Sequence, residues 1–197
     1  ALMGGDVAWT ILRPPIVLGP SDPTLRGYYY FQRLMDGGPL LLSNGGVASF
    51  RLAYSDDLAR AYLLALDSPQ AAGRAYNICQ AEIVTLRQML EQAAEALALP
   101  LTTAEVPSRV LAAAHLSGGP YSHMVNFVPS IRRAQTELGY TTTPFAAWLA
   151  QTVRWYRDEY RGGASADYDR RADELAFAER WWALLEATQE PKEDDRG

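Results

Sequence analysis

The sequence is poor in the residues that carry several common kinds of chemistry. Of its 18 basic residues only Lys192 is a lysine and the other 17 are arginines, so a mechanism that needs an active-site lysine has no residue to use. The single Cys79 excludes a disulfide framework and a cysteine-rich zinc site, and is typical of a reducing compartment. His115 and His123 are the only histidines, too few for a histidine-rich metal site, and no metal is predicted.

Familiar catalytic and nucleotide-binding motifs are missing as well. No three of the 15 glycines have the GxGxxG spacing that cradles a pyrophosphate, and neither a GxSxG elbow nor an HExxH pair occurs. A Tyr-xxx-Lys pair is excluded because the residue four positions before Lys192 is Thr188. The residues alone therefore predict no catalytic group. They indicate part of an α/β domain to which no reaction is assigned.

The overall composition is that of a globular domain. The chain has 197 residues, 48% of them hydrophobic, which is enough for one domain with a short appendage. A net charge of −5 argues against a nucleic-acid partner, because such proteins usually carry a basic stripe. No apolar run approaches the roughly 18 residues of a membrane span, and no signal peptide is recognised. We therefore expect a cytoplasmic protein without a membrane partner.

The first pattern in the chain is a strand. Residues 7–17, VAWTILRPPIV, are rich in β-branched and aromatic side chains and lead into a turn at Gly19-Pro20. Strands this apolar usually lie inside a parallel sheet that is covered on both faces. Such a strand needs neighbours, yet little chain precedes it, so we expect the sequence to be a fragment of a larger sheet with an unpaired edge.

Strands and helices alternate downstream of this strand. Further strands are predicted at 40–43, 50–54, 75–79 and 102–106, with a turn at Asn44-Gly45-Gly46. Helices are predicted at 28–35, from 55 onward, and at 85–99, 108–116, 130–138, 143–160 and 169–187.

Several helices carry start signals. Ser55 is predicted to cap its helix, with Asp56 and Asp57 complementing the helix dipole. Thr85 and Gln88 have the form of a capping box, and Thr143-Pro144 that of an N-cap followed by a first-turn proline. The buried face of the Ser55 helix is predicted from spacing to hold four residues: Leu58, Ala61, Tyr62 and Ala65.

The last helix is an addition that must bury aromatic surface. It follows a linker at 161–165, and Leu175, Trp182 and Leu185 form a stripe with Ala178 between them. We expect this helix to dock on a partner domain, to form a subunit contact, or to fold back over the unpaired strand. The tail at 191–197 is expected to be disordered.

Four blocks of the sequence resemble, in order, the extended short-chain dehydrogenases/reductases of the NAD-dependent epimerase/dehydratase family. The first block, TILRPPIVLGP at 10–20, is similar to the family's T-x-L-R-P-x-x-V-Y-G-P stretch. YSDDLA at 54–59 is similar to V-x-D-D-V-A, and GRAYNI at 73–78 to G-x-x-Y-N-I. Residues 134–140 with Pro144, and Trp155-Tyr156, are similar to A-x-x-x-L-G-[WY]-x-P … W-Y.

The resemblance covers only the second half of such enzymes. It implies an α/β fold: the C-terminal part of a Rossmann-type parallel sheet, interleaved with a small α/β substrate lobe over residues 1–160, and a helical extension over 161–197. The glycine-rich loop, the catalytic Ser/Thr and the Tyr-xxx-Lys pair precede the LRP strand in these enzymes and have no counterpart here. The implied partner is a missing N-terminal nucleotide-binding domain, and the chain alone is expected to be inactive.

The resemblance also implies a cofactor and its contacts. The complete enzyme would use NAD or NADP, and the segment after LRP passes the nicotinamide in relatives. Pro14, Pro15, Ile16 and Val17 are therefore the predicted cofactor-facing residues. A strand end turning out of the sheet explains Ile16 and Val17 equally well. No tight cofactor binding is expected of this chain by itself.

The resemblance also implies substrate-binding residues, because the family places them in its small substrate lobe. Tyr29 is chosen from the YYYF run at 28–31, although it fits the lobe core as well. His123 and Asn126 lie in a Gly/Pro-rich stretch that forms substrate lids in relatives or, equally, a plain connection. In sugar-nucleotide enzymes an arginine contacts the diphosphate. Counting back from Asp57, that position holds Phe50, which puts a sugar nucleotide in doubt, while Arg51 could bind an anion in a shifted register.

Three functions remain open on the sequence. The first is the substrate half of an NAD(P)-dependent epimerase, dehydratase or reductase acting on a small molecule. The second is a non-catalytic relative that binds RNA, and the third is an assembly partner, with a homo-oligomer among the possible states. The upstream coding sequence discriminates them: a glycine-rich loop with a Tyr-xxx-Lys pair supports the enzyme, and a stop codon supports the assembly partner.

Overall fold

The fold is built from parallel strand pairs that distant parts of the chain form together. The structure is a computed structural model that describes residues 8–122 and 126–189. The strands are β1 Thr10–Arg13, β2 Val17–Leu18, β3 Leu40–Ser43, β4 Ser49–Phe50, β5 Ala53–Tyr54, β6 Arg74–Asn77, β7 Val84–Thr85 and β8 Thr103–Val106. The helices are α1 Arg26–Met35, α2 Ser55–Asp67, α3 Leu86–Leu97, α4 Ser108–Ala113, α5 Arg132–Leu138, α6 Phe145–Asp158 and α7 Arg171–Gln189.

Three of the four strand pairs are parallel. β1 pairs with β6, β2 with β5 and β3 with β8, while β4 and β7 are antiparallel. This mixture of helices with parallel strands confirms the predicted α/β class. Among the described residues no strand pairs with the second edge of β1, as the sequence led us to expect of the LRP strand.

Three clusters of buried side chains hold these elements together. α2 and α5 cover one face of β1 and β6, where Tyr76 and Ile78 are fully buried. α1, α3 and α6 pack on each other and on β2–β5 in the largest cluster, around Trp148. α7 and α4 cover β3 and β8 in the third. We refer to the part of the molecule around the second and third clusters as the lobe.

The first strand is shorter and less buried than predicted. β1 ends at Arg13, and β2 resumes only at Val17. Two prolines cause the break, because they have no N–H to donate to a ladder. The residues of β1 are half-buried and Arg13 is exposed, so the described part of the chain does not itself cover the strand on both faces.

Two predicted helix starts also differ from the structure. Tyr54, not Ser55, is the N-cap of α2, and Pro144, not Thr143, that of α6. Thr143 instead donates its N–H and its hydroxyl to the buried carboxylate of Asp57, at 2.8 and 2.7 Å. A carboxylate so placed competes successfully for the hydroxyl that would otherwise cap the helix.

The buried face of α2 is the predicted one except at Tyr62. Ala61 is fully buried and Leu58 and Ala65 are half-buried, but Tyr62 is exposed, together with Leu63 and Leu66. Each helical residue turns by about 100°, so only positions on the Ala61 side reach β1 and β6. The capping box at Thr85 and Gln88, in contrast, is confirmed in full at the start of α3.

The last helix folds back onto the lobe and not onto β1. Ala178 is fully buried against β3 and β8, and Trp181 donates its indole N–H to the Glu105 carbonyl of β8 at 2.8 Å. Leu185, predicted as part of the buried stripe, is 37% exposed. The buried stripe of α7 instead runs through Arg171, Glu174 and Ala178, so two of its three positions are charged.

Those two charges join α7 to α1 in an ion cluster, defined here as Arg33, Asp36, Arg171 and Glu174. Arg33 donates to both carboxylate oxygens of Glu174 at 2.8 Å. Arg171 donates to both oxygens of Asp36 at 2.7 Å, and to Glu174 at 3.2 Å. Each carboxylate is therefore held by at least one bidentate arginine, the strongest geometry for such a pair.

The ion cluster should make the docking of α7 sensitive to acid. Burial by itself would raise the pKa of Asp36, but hydrogen bonds from Arg171 and from the Gly38 N–H, with the charge of Arg171, lower it below its usual 3.8. A carboxyl whose pKa is lowered by folding stabilises the fold above its unfolded pKa, and this contribution is lost as the pH falls through the folded pKa. We expect the stability difference between wild type and Asp36→Asn, measured by urea unfolding, to be present in full at pH 6 and to shrink as the pH falls below 3.8. A difference that is unchanged at pH 3 would contradict this.

Candidate functional site

The segment predicted to face a cofactor lies at the carboxyl end of β1. Pro14, Pro15, Ile16 and Val17 are all half-buried. The Ile16 carbonyl accepts a hydrogen bond from the Ala53 N–H at 2.9 Å, and Val17 pairs with the same residue. Ligands of open α/β sheets bind outside the carboxyl ends of the strands, so this is the position where such a site is expected.

A pocket of about 400 Å³ opens in the lobe. It lies between the turn that follows β3 and the loop at 117–122. Its lining residues are Ser43, Asn44, Gly46, Val47, Ala48, Leu86, Tyr121, Ser122 and Asn126. This set carries hydroxyl, amide and apolar groups and no charged side chain. We call it the lobe pocket.

The turn on one side of the lobe pocket has an unusual backbone. Asn44, Gly45 and Gly46 all have positive φ angles, of 49°, 71° and 64°. Two glycines and an asparagine are the residues that adopt this conformation at least cost. A Cβ on Gly46 would lie 2.7 Å from Leu42 Cδ1, so glycine is required there for space as well.

The loop on the other side, defined as the 117–122 loop, rests on two tyrosines of α1. Tyr30 donates to the Gly118 carbonyl at 3.2 Å and accepts the Tyr121 N–H at 2.8 Å. Tyr29 lies within 3.3 Å of the Ser117 carbonyl. Gly119 has φ +91°, and a Cβ there would lie 2.5 Å from the Tyr29 ring, so the backbone can approach the tyrosines only because this residue is glycine.

Tyr121 contributes an unpaired polar group. Its side chain is buried, packs against Tyr30 and Phe50, and its hydroxyl has no hydrogen-bond partner among residues 8–122 and 126–189. Burial raises its pKa well above that of a free tyrosine, so the hydroxyl stays protonated at neutral pH. A buried hydroxyl without a partner costs free energy, which a ligand or a water molecule would recover.

The predicted substrate residues are not gathered at one point. Asn126 lines the lobe pocket, where its Oδ1 accepts the Ser49 N–H at 2.9 Å. Tyr29 is buried behind the 117–122 loop, and its hydroxyl is 3.3 Å from Glu174. His123 lies outside the described residues. The roles assigned to these three residues stay predictions.

Arg51 lies between the lobe pocket and the cofactor-facing segment. Its two Nη atoms donate to the carbonyls of Pro129 and Ala81, each at 2.8 Å, and its buried Nε has no partner in the described part of the chain. Phe50, at the position of the family's diphosphate arginine, is fully buried.

Burial raises the pKa of the neighbouring Cys79 thiol to about 11, although the charge of Arg51 lowers it, so the thiol is a poor nucleophile.

One extended segment joins the two parts of the site. Ser49 contacts Asn126 at the lobe pocket, and Ala53 contacts Ile16 four residues later. Four residues of extended chain span at most about 14 Å. The lobe pocket and the carboxyl end of β1 are therefore close enough for one small molecule to reach from one to the other.

A second, open pocket of about 440 Å³ lies where β1 and β6 end. Arg13, Arg132 and Arg133 line it with Asn77 and Glu137. Arg13 forms no salt bridge with any described residue. Three arginines and one carboxylate thus give this surface, which lies on β6 and α5 beside the end of β1, a positive charge.

Sequence reasoning missed most of the lobe pocket. The sequence analysis did not select four of its lining residues, Ser43, Asn44, Tyr121 and Ser122. The NGG turn at 44–46 and the GGPYS run at 118–122 nevertheless both mark special backbone conformations.

In the described parts of the chain, no three His, Cys, Asp or Glu side chains are grouped to hold a metal ion. Across 8–122 and 126–189, no helix has the length and apolarity needed to span a bilayer.

Comparisons with known proteins agree with the architecture. A UDP-glucuronic acid 4-epimerase from Bacillus cereus, solved with UDP-glucuronic acid and NAD, matches 77% of this chain and 46% of its own with a TM-score of 0.62 and 20% identity. DesIV, a dTDP-glucose 4,6-dehydratase from Streptomyces venezuelae solved with NAD, matches 76% and 44% with a TM-score of 0.60 and 26% identity. The fold is thus that of part of a Rossmann-type epimerase or dehydratase.

The sequence comparisons point to the same kind of protein. The model of the NAD-dependent epimerase/dehydratase family matches residues 3–79 of this chain. The uncharacterised protein YbjS of Escherichia coli is 29% identical over 176 residues, which cover 76% of this chain and 50% of that protein. The chloroplast stem-loop binding protein of 41 kDa b of Arabidopsis thaliana is 30% identical over 99 residues, 50% of this chain and 26% of that one. The chain spans half or less of the length of these relatives.

Proposed function

We propose that this chain is the substrate-binding half of an NAD(P)-dependent epimerase, dehydratase or reductase, and that it is inactive without a nucleotide-binding half. The observation that carries the proposal is the edge of β1 that no strand of residues 8–122 or 126–189 covers; the carboxyl end of β1 leads directly into Pro14–Val17. A parallel strand added at this edge would continue the sheet toward the missing dinucleotide site. The surface around Arg13, Arg132 and Arg133 would face the same partner.

The chain's own residues fit only one end of the cofactor. Pro14–Val17 present a half-buried, mainly apolar segment that suits the nicotinamide ring. The pyrophosphate needs a glycine-rich loop at a helix N-terminus, and the sequence has no GxGxxG spacing to supply it. When bound, NAD or NADP supplies hydride transfer, while these residues position and cover the nicotinamide end.

The lobe pocket is the proposed substrate site, and its chemistry favours a neutral, hydroxyl- or carbonyl-bearing small molecule. Its lining residues offer the hydroxyls of Ser43 and Ser122, the amides of Asn44 and Asn126, and no charge. Burying a charged substrate group there without a partner would cost several kcal/mol, on the order of 2 or more. The buried Phe50 and the engaged Nη atoms of Arg51 support the same conclusion, which leaves a sugar nucleotide in doubt.

Calorimetry with NAD and NADP tests this proposal. We expect the chain alone to bind either with a Kd weaker than about 1 mM, corresponding to roughly 4 kcal/mol or less, because Pro14–Val17 supply only van der Waals and backbone contacts. The chain produced together with its upstream-encoded polypeptide should bind at least a hundredfold more tightly and show turnover by NAD(P)H absorbance. Micromolar binding, or turnover, by the chain alone would refute the proposal that a separate nucleotide-binding half holds the cofactor.

One comparison favours a second candidate, a non-catalytic RNA-binding protein. The Arabidopsis thaliana relative is named as a stem-loop binding protein, and the arginines at the open pocket would suit phosphates. The net charge of −5 opposes this function. A gel-shift titration with a stem-loop RNA at two salt concentrations tests it: tight, salt-dependent binding that Arg132→Ala weakens would favour RNA over a small molecule.

A role as an assembly partner would instead appear as self-association in sedimentation, without RNA binding and without turnover.

A further inference from the structure

The lobe pocket is connected to α7 through a single tyrosine. Glu174 of α7 lies 3.3 Å from the Tyr29 hydroxyl, and the same hydroxyl lies 3.3 Å from the Ser117 carbonyl. Ser117 opens the 117–122 loop, whose Tyr121 and Ser122 line the lobe pocket. A chain of polar contacts, in which the Tyr29 hydroxyl lies between two acceptors, thus runs from α7 to the loop that forms the pocket wall.

We propose that α7 positions the wall of the lobe pocket, with Glu174 acting through Tyr29 on the 117–122 loop. This inference rests on the proposed function only for the statement that the pocket takes substrate. Glu174 and Tyr29 are positioning residues, because neither lines the pocket. α7 lies beyond the part of the sequence that the family pattern describes, so this chain carries an added element that adjusts a shared site.

The geometry of Tyr29 makes it a rigid intermediate. Its ring is 3% exposed, the Arg33 guanidinium lies 3.5 Å above the ring centroid, and Arg33 is itself fixed by Glu174 in a bidentate pair. The ring also lies close to the Gly119 backbone, where an added Cβ would be 2.5 Å from Tyr29 Cε1. Because Tyr29 is held in this way, a displacement of Glu174 is transmitted through the Tyr29 ring to the 117–122 loop.

The loop in turn has little freedom against the pocket. A Cβ on Gly118 would lie 3.1 Å from the Cβ atoms of both Ser43 and Ser122, so the loop backbone already touches two residues of the pocket lining. Tyr30 holds the Gly118 carbonyl and the Tyr121 N–H at the same time. Losing the anchor at Ser117 should therefore shift or loosen Tyr121 and Ser122.

The hydroxyl of Tyr29 has only one hydrogen for two acceptors. It donates either to the Glu174 carboxylate or to the Ser117 carbonyl, or is shared between them. Tyr29→Phe removes this bond while keeping the ring, its contact with Arg33 and its contact with Gly119. This variant should fold, since the ion cluster stays complete.

Amide hydrogen exchange on the full chain, without any ligand, tests the proposal. We expect Tyr29→Phe to speed exchange of the Gly119, Tyr121 and Ser122 amides by about tenfold, with the Tyr76 and Ile78 amides of the first cluster unchanged. Glu174→Gln should speed the same loop amides. Because Glu174 acts through Tyr29, the double variant should exchange no faster than Glu174→Gln alone.

The control variant is Trp181→Phe, which removes the α7 bond to the Glu105 carbonyl but leaves Glu174 in place. It should loosen the last turns of α7 and leave the 117–122 loop unchanged. The proposal is overturned if the Tyr29→Phe loop amides keep wild-type rates, if all amides speed up equally, or if the two substitutions add. Any of these results leaves the substrate proposal standing, because that depends on binding and turnover and not on exchange.

Discussion

Arg33→Ala should lower the free energy of unfolding by about 3–5 kcal/mol. Arg33 is 1% exposed and donates to both oxygens of Glu174, to the Tyr29 and Asp167 carbonyls and to the Ser165 hydroxyl. Its removal leaves a buried carboxylate with Arg171 as the remaining cation, and several buried acceptors without a donor. Urea unfolding measures the loss.

Two further variants show whether burial is the cause. Arg33→Lys keeps the charge but loses the bidentate geometry, so its loss should be intermediate. Arg157→Ala removes an arginine from an exposed pair with Asp158 and should change the unfolding midpoint by no measurable amount. Added salt should leave the Arg33→Ala difference intact, since buried pairs are screened little. A loss for Arg33→Ala as small as that for Arg157→Ala would mean that the ion cluster does not hold α7.

Trp148→Ala should cost a similar amount, about 3–5 kcal/mol, for an apolar reason. Trp148 on α6 is fully buried in the largest cluster. Its ring stacks on Tyr54 at 5.4 Å between centroids and meets Phe145 edge-on at 5.1 Å. Truncation leaves a cavity between α6 and β5 that these neighbours cannot close, as chemical denaturation would register.

Trp148→Phe is the matched control. It keeps an aromatic ring in the cavity and removes an indole N–H that is buried without a partner among the described residues. We expect less than half of the alanine loss, because the volume lost is smaller and an unsatisfied donor disappears. Equal losses for the two variants would show that the ring does not fill the space as described.

Local signals predicted the local structure well. The capping box at Thr85 and the strand Leu40–Ser43 were found correctly, because each depends on residues adjacent in the sequence. The parallel α/β class followed from one apolar strand and from the family resemblance. The error at Thr143 has a tertiary cause, since Thr143 donates to the Asp57 carboxylate and does not cap its own helix.

The site could be predicted only in part, because long-range contacts decide it. Asn126 was selected and does line the lobe pocket, but Tyr121 was not, as nothing local indicates that its hydroxyl is left unpaired. The stripe on α7 was assigned to leucine and tryptophan, whereas Arg171 and Glu174 are the residues buried there. Charged residues are predicted as exposed unless their partners are known, and these partners lie on α1, some 140 positions earlier.

The parallel pairing of the strands has a consequence for how the chain is made. β1 pairs with residues 74–77, β2 with residues 53 and 54, and β3 with residues 103–106. As the chain leaves the ribosome, β1 and β3 must each wait for some 60 further residues before a partner exists, and loop closure over such distances is slow. Throughout that interval, apolar strands such as Leu40–Ser43 are open to wrong partners. Newly made chains, more than folded ones, are therefore the form of this protein in which strands are open to mispairing and aggregation.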